Sequence, residues 1–274
     1  MREIGTRLSY YWGSDPYGTL AACGFTALNI PFADMRGEVY SLPEADVRVK
    51  LEALYARIRD AGLRVNQTHG PCPTDDTTPE SRARGFAMTL RAIRCTAWLH
   101  ARDLVIHPLL PWGHDAGDPA VTWELNRERL LALLPYAREA GIRLNVENLP
   151  YPDSAISHME TLAALTEEIG DPALGLCLDT GHAACIGEDP AALIRRCGEK
   201  LYSTHVHDNN LKSDLHLIPY AGRIDWEAVR TALDEIGYAG VVSLEVNLHP
   251  SIPEGMWETV RLWMREAADR IAGN

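Results

Sequence analysis

The residues of this chain best suited to chemistry are acids and imidazoles placed at the ends of similar apolar stretches. Leu201 to Asn209 reads Leu-Tyr-Ser-Thr-His-Val-His-Asp-Asn. Side chains in a strand alternate between faces, so His205 and His207 share one face with Ser203. Tyr202, Thr204 and Val206 share the other, more apolar face, which suits packing under helices. The imidazoles then look into a polar space, where carboxylates or a metal are their usual partners. Carboxylates occur in matching settings. Glu147 alternates with Leu144 and Val146, Asp179 with Leu176 and Leu178, and Glu245 follows Val241 to Leu244. Acids converging on histidine repel one another unless they are protonated or bridged by a cation. These residue types point to a metal held by Glu147, Asp179, His205 and Glu245, and mixed carboxylate and imidazole sets suit Mn, Zn, Co or Fe.

Positioning such groups requires a repeating scaffold, and the chain reads as one. Strands are expected at Ile4–Tyr10, Phe25–Ile30, Leu63–Gln67, Asp103–His107, Ile142–Glu147, Leu174–Asp179, Leu201–His207 and Val241–Glu245. Helical patterns separate them. Val47, Leu51, Leu54 and Ile58 stripe one helix; Phe86, Leu90, Ile93 and Ala97 mark the buried side of the next. Thr78-Pro79 reads as an N-cap with proline at the first helical position, and Ser157 to Glu160 has the capping-box pattern. A further helix spans Val121 to Ala140, and Asp189 and Asp225 open two others. Trp257, Val260, Met264, Ala267 and Ile271 stripe the last. Alternating strand and helix implies a parallel sheet. Motifs that cradle phosphates, such as GxGxxG or GxxxxGK[ST], are missing, which favours a closed barrel over a nucleotide-binding open sheet. The expected architecture is α/β, a single (β/α)8 TIM barrel over residues 1–274, with its site at the C-terminal strand ends.

Those ends gather more polar residues than the four proposed ligands. His69 follows the third strand and His107 closes the fourth. His182 stands just past Asp179, and Asp214 and His216 lie in the loop after the seventh. A lone strand-end histidine is more often structural than catalytic. Coincidence at successive strand ends is the poorer explanation. His100, His114, His158 and His249 lack such company and read as structural, and the tryptophans read as helix packing or rim residues.

Composition narrows the partners. The formal charge is −12, from 38 acidic against 26 basic residues. An acidic surface disfavours nucleic acid and anionic membranes. No signal peptide or membrane span is evident. The six cysteines are scattered without CxxC spacing, which fits reduced thiols in a cytoplasmic protein.

At these residues the sequence resembles the xylose isomerase-like TIM-barrel superfamily, in particular its sugar-phosphate isomerase/epimerase branch. The resembling segments are Val146-Glu147-Asn148, Leu178-Asp179-Thr180-Gly181-His182, His205-Val206-His207-Asp208-Asn209, Asp214-Leu215-His216-Leu217, Ile224-Asp225-Trp226 and Leu244-Glu245. His69-Gly70-Pro71 and Ile106-His107-Pro108 extend the likeness toward the N-terminus. The resemblance implies a divalent metal on Glu147, Asp179, His205 and Glu245, with Mn or Zn ahead of Co or Mg. It implies a small carbohydrate substrate, and it leaves room for a homo-oligomer. Glu147 and Glu245 would move a proton at the carbon alpha to a carbonyl through an enediolate, from opposite faces in an epimerase. His182 would steady a substrate hydroxyl, with His69, His107 and His207 also set toward substrate. His182, Asp214 and His216 form an additional candidate metal set. Two departures leave the substrate open. Pro219-Tyr220-Ala221-Gly222 replaces the Pro-Gly-Glu-Gly turn of many relatives, and Asn209 to Lys212 lacks the arginine usual in ketose epimerases. The alternatives are a metal-dependent lyase or dehydratase on a keto-sugar or inositol and, further off, an abasic-site endonuclease with a trinuclear zinc site.

Overall fold

The computed structural model describes residues 1–72 and 76–274. Eight strands are parallel throughout: β1 (Ile4–Arg7), β2 (Ala27–Pro31), β3 (Arg64–His69), β4 (Asp103–Ile106), β5 (Arg143–Glu147), β6 (Leu174–Asp179), β7 (Leu201–His205) and β8 (Val242–Leu244). Their order is β7-β6-β5-β4-β3-β2-β1-β8. The two outer strands meet where Val206 pairs with Leu244. There Val206 N–H donates to Ser243 O at 2.9 Å and Glu245 N–H donates to Val206 O at 3.0 Å. This is a TIM barrel, nearly closed.

Helices return the chain between strands: α1 (Pro16–Ala22), α2 (Glu38–Ser41), α3 (Glu44–Asp60), α4 (Pro79–Trp98), α5 (Pro119–Ala140), α6 (Met159–Ile169), α7 (Thr180–Cys185), α8 (Pro190–Cys197), α9 (Trp226–Glu235) and α10 (Trp257–Ala272). None is long and apolar enough to cross a membrane. The outward faces of the strands carry the core. Leu144, Val146, Leu176 and Leu178 are all buried, each contributing about 1.5–3 kcal/mol of hydrophobic stabilisation. The inward faces are polar. Asn145 Nδ2 donates to Asp103 Oδ1 at 3.0 Å and also to Ser203 Oγ, and Gln67 Nε2 donates to Thr204 O at 3.4 Å. The alternation read around Glu147 and Asp179 is therefore the one that forms.

Several local expectations give way. β1 stops at Arg7, because Tyr11 and Trp12 turn into a short 3-10 segment and bury their rings in the core. β3 runs on to include His69, while β7 ends at His205 and β8 at Leu244, so that His207 and Glu245 lie just beyond their strands. Ser157 caps nothing. Its hydroxyl is buried without a partner among the described residues, and α6 starts after His158. α5 starts at Pro119, where Asp118 accepts from Ala120 N at 2.9 Å. On α4, Phe86, Leu90 and Ala97 are only half-buried, and the small residues Gly85, Thr89, Ala92 and Thr96 face inward. Thr96 Oγ1 meets Thr68 Oγ1 of β3 at 2.6 Å, a close approach that larger side chains would prevent. Thr78 does form its cap, accepting from Ser81 N at 3.1 Å.

Candidate metal centre at the barrel mouth

β5, β6 and β7 end on Glu147, Asp179 and His205, and Glu245 follows β8 directly. The barrel thus delivers four side chains to one point. One ligand atom from each lies within 4.8 Å of the others. His205 Nδ1 is 2.7 Å from Glu147 Oε1 and 3.2 Å from Glu245 Oε2. The other Glu147 oxygen, Oε2, faces His69 Nε2 at 3.0 Å and His107 Nε2 at 3.2 Å. Asp179 does two jobs. Its Oδ1 accepts from His182 N at 2.7 Å and so caps α7, while His207 Nε2 lies 2.9 Å from the same oxygen and 3.0 Å from Oδ2. Gly181 is required here, because a Cβ on it would sit 1.9 Å from His207 Cε1.

A second group stands alongside, made by His182, His207, Asp214 and His216. His182 Nδ1 donates to Asn148 O at 2.8 Å, and His216 Nδ1 donates to Glu245 O at 2.7 Å. Those bonds turn both Nε2 atoms toward Asp214 Oδ2, at 3.4 and 3.3 Å. Backbone carbonyls that fix a ring in this way are the usual support for metal-binding histidine.

The charges explain why so many imidazoles are present. Among the described residues, no lysine or arginine pairs with Glu147, Asp179 or Asp214; Glu245 has Arg7 at 3.2 Å. Histidines make up the difference. Burial would raise the Glu147 carboxyl, but His205, His107 and His69 hold it well below the usual carboxylate range. Burial would likewise lower His205, but Glu147 and Glu245 lift it above its ordinary value. Burial is outweighed at His107 too, where Cys72 and Glu147 bring the ring to about 9. Against burial again, Asp179, Asp214 and Glu147 raise His182 to about 10, and Asp214 and Asp179 raise His216 to about 9.

A divalent cation fits this donor set on two grounds. Buried carboxylates share a point with no permanent positive charge except Arg7 at its edge, so imidazolium protons stand where a cation would serve. Asn29 supplies the second ground. Its Nδ2 lies 3.3 Å from His205 Nε2, while its buried Oδ1 has no partner among the described residues. Rotating that amide exchanges its N and O and lets Oδ1 accept from Nε2–H. In the neutral ring, the Nδ1 lone pair then faces Glu147 and Glu245.

All ten site residues read from the sequence gather at this mouth. Six of them are well buried; His107, His216 and Glu245 are partly open, and Asp214 is exposed. His207 is wholly enclosed against Asp179 and stacked on His216 at 3.9 Å. The histidines set aside lie elsewhere: His100 stacks on Tyr55, His114 on Tyr151, His158 pairs with Glu188, and His249 meets Ser251. Sequence reasoning missed Asn29, Asn148 and Cys72. Cys72 Sγ lies 3.7 Å from His69 Nδ1 and 4.0 Å from His107 Nε2. Burial would raise its thiol, yet the two rings draw it down to about 5. Asn29 could have been noticed as the one polar residue in Ala-Leu-Asn-Ile.

A parallel barrel with acids and imidazoles crowded at its C-terminal strand ends has the form of a TIM-barrel enzyme. More particularly, the chain belongs to the xylose isomerase-like TIM-barrel family, whose model matches residues 18–267. It is 26% identical over 231 residues to an L-ribulose 3-epimerase of Mesorhizobium japonicum, covering 82% of this chain and 75% of that one. It is 27% identical over 123 residues to an inosose isomerase of Bacillus subtilis, covering 43% of this chain and 44% of that one. The crystal structure of a 3-keto-D-glucoside 4-epimerase of E. coli superposes with a TM-score of 0.77 at 17% identity, over 97% of this chain and all of that one. Family and relatives support an enzyme of the isomerase/epimerase class.

Proposed function

We propose that this protein is a divalent-metal-dependent isomerase or epimerase of a small polyhydroxylated carbonyl compound, a sugar, sugar phosphate or keto-polyol. The observation that carries the reading is that Glu147 and Glu245 flank the same imidazole nitrogen, Nδ1 of His205, at 2.7 and 3.2 Å. Glu147, Asp179, His205 and Glu245 would hold the cation, with Mn or Zn the favoured ions. Bound there, it would supply Lewis-acid stabilisation of negative charge on substrate oxygens. Of the two glutamates, one takes the proton alpha to the carbonyl and the other returns it. Return to the opposite face of the same carbon gives epimerisation, and a proton shuttled along one side to the neighbouring former carbonyl carbon gives isomerisation. His69, His107 and His182 would hydrogen-bond substrate hydroxyls, while His207 would position Asp179.

A second reading, dehydration, shares the first proton transfer. It is favoured by His182 and His216, which carry protons at neutral pH beside Asp214 and could protonate a departing hydroxyl. The test is incubation of the Mn- or Zn-loaded protein with ketoses and keto-inositols in D2O. Deuterium at the alpha carbon with a changed stereocentre or a moved carbonyl supports the proposal. Exchange with loss of water supports the second reading, and cleavage of an abasic duplex without exchange overturns both.

A further inference from the structure

Beside the metal centre, on the far side of Cys72, lies a second recess. Phe32 N–H donates to His69 O at 2.7 Å and Cys72 N–H to Ala33 O at 3.3 Å, so the loop after β2 is tied to the segment after β3. Between that loop and α4 is a cavity of about 430 Å³, lined by Asp34, Met35, Arg36, Cys72, Arg84 and Met88. Cys72 touches His69 and His107, and both rings touch Glu147. One thiol and one imidazole separate this cavity from a carboxylate of the reaction site.

The two arginines set the cavity's chemistry. Most arginines of this acidic chain are engaged: Arg91 and Arg129 on backbone carbonyls, Arg94, Arg138, Arg143 and Arg196 on carboxylates. Arg36 and Arg84 are exposed, and neither guanidinium has a hydrogen-bond or ion-pair partner among the described residues. Asp34, the one acid among the described lining residues, spends Oδ1 on the backbone N–H of Arg36 at 2.9 Å. Two unpaired guanidinium groups line the same cavity, and each fork can donate to an anion seated there. Met35 and Met88 offer adaptable apolar wall for a carbon chain.

We propose that this cavity seats an anionic group, a phosphate ester or a carboxylate, at the end of the substrate remote from the reacting carbonyl, with Arg36 and Arg84 as its clamp. The proposal rests on the reading that the mouth turns over a polyhydroxylated carbonyl compound, and it names which members of that class the site prefers.

The binding test needs no turnover. Cys72 lines the cavity, so an anion there should shield it from iodoacetamide, with the half-buried Cys23 and Cys185 as internal references. In the metal-loaded protein, inorganic phosphate is expected to slow Cys72 alkylation several-fold, measured by peptide mass spectrometry against chloride of equal ionic strength. The R36A/R84A variant should lose that protection. Stronger protection by malonate than by phosphate would identify a carboxylate as the ligand. Absence of protection by either anion, or equal protection in the variant, overturns the proposal. The kinetic test compares kcat/KM for a ketose and its terminal phosphate or uronate. The preference for the charged member should fall about tenfold per arginine removed, mostly in KM. Anion protection of Cys72 without deuterium exchange on any ketose would count against the reaction alone. Exchange on uncharged ketoses without anion protection would count against the clamp alone.

Discussion

Nδ1 of His205 lies 2.7 Å from Oε1 of Glu147, with neither group more than 1% exposed. That contact favours the protonated ring, because Glu147 and Glu245 raise His205 above its ordinary value against the pull of burial. A cation needs the nitrogen bare. Metal binding must therefore expel a proton, and affinity must climb as pH rises through the elevated histidine value. Calorimetric titration with Mn2+ or Zn2+ in buffers of different ionisation enthalpy should show proton release that diminishes as pH rises. A second equivalent at His182, Asp214 and His216 has to displace protons held to about 10 and about 9, and should tighten between pH 6 and pH 9. Affinity independent of pH would mean that these rings are not ligands.

Asn29 has a similar bearing on the metal. If its amide oxygen fixes the Nε2–H form of His205, Asn29→Leu should weaken metal binding by roughly 10- to 100-fold while the fold survives. Asn29→Asp keeps an acceptor and should restore most of the loss. Histidine 15N chemical shifts report the tautomer directly, and an unchanged His205 spectrum in the leucine variant would remove Asn29 from this role.

The glutamates themselves can be separated from the metal. Glu147→Gln and Glu245→Gln each keep an oxygen donor but give up the base, so alpha-deuterium exchange should fall by roughly 10²- to 10⁴-fold. Full activity in either variant would end the two-carboxylate scheme. His100→Ala, remote and stacked on Tyr55, should leave metal content as it is.

Asp208 predicts a loss of stability. Its carboxylate accepts from the backbone N–H groups of Asn209, Gly222, Arg223 and Ile224 and from Trp226 Nε1, at 2.8 to 3.1 Å. Asp208→Ala strands buried donors and should cost about 3–5 kcal/mol, read from the urea midpoint. Asp208→Asn retains one acceptor and should cost less. The donors come from the loop carrying Asp214 and His216, so the alanine variant should also weaken the second metal equivalent.

What could be read from the chain follows from what is local. Glu147 and Asp179 declare themselves because each alternates with leucine or valine in one short strand, and strand alternation depends on no distant residue. Their meeting with His205 and Glu245 follows once the strands close into a barrel. Asn29 and Cys72 could not be found in that way. Asn29 lies 176 residues from His205 and is its partner only through closure. Cys72 became notable by its two histidine neighbours, not by its spacing from other cysteines. α7 was missed for another reason. Thr180–Cys185 is too short to show a helical period, and it starts because Asp179 caps it, an interaction hidden while that acid is read as a ligand alone.

The meeting of β7 with β8 has a mechanical consequence. The cylinder is fastened along that line at Val206 and Leu244, and the residues on either side of the fastening are His205, His207 and Glu245. Whatever draws His205 and Glu245 together also buttons the wall shut. A cation held at the mouth would thereby be coupled to the integrity of the cylinder, and its removal should let this line gape before any other part of the wall loosens.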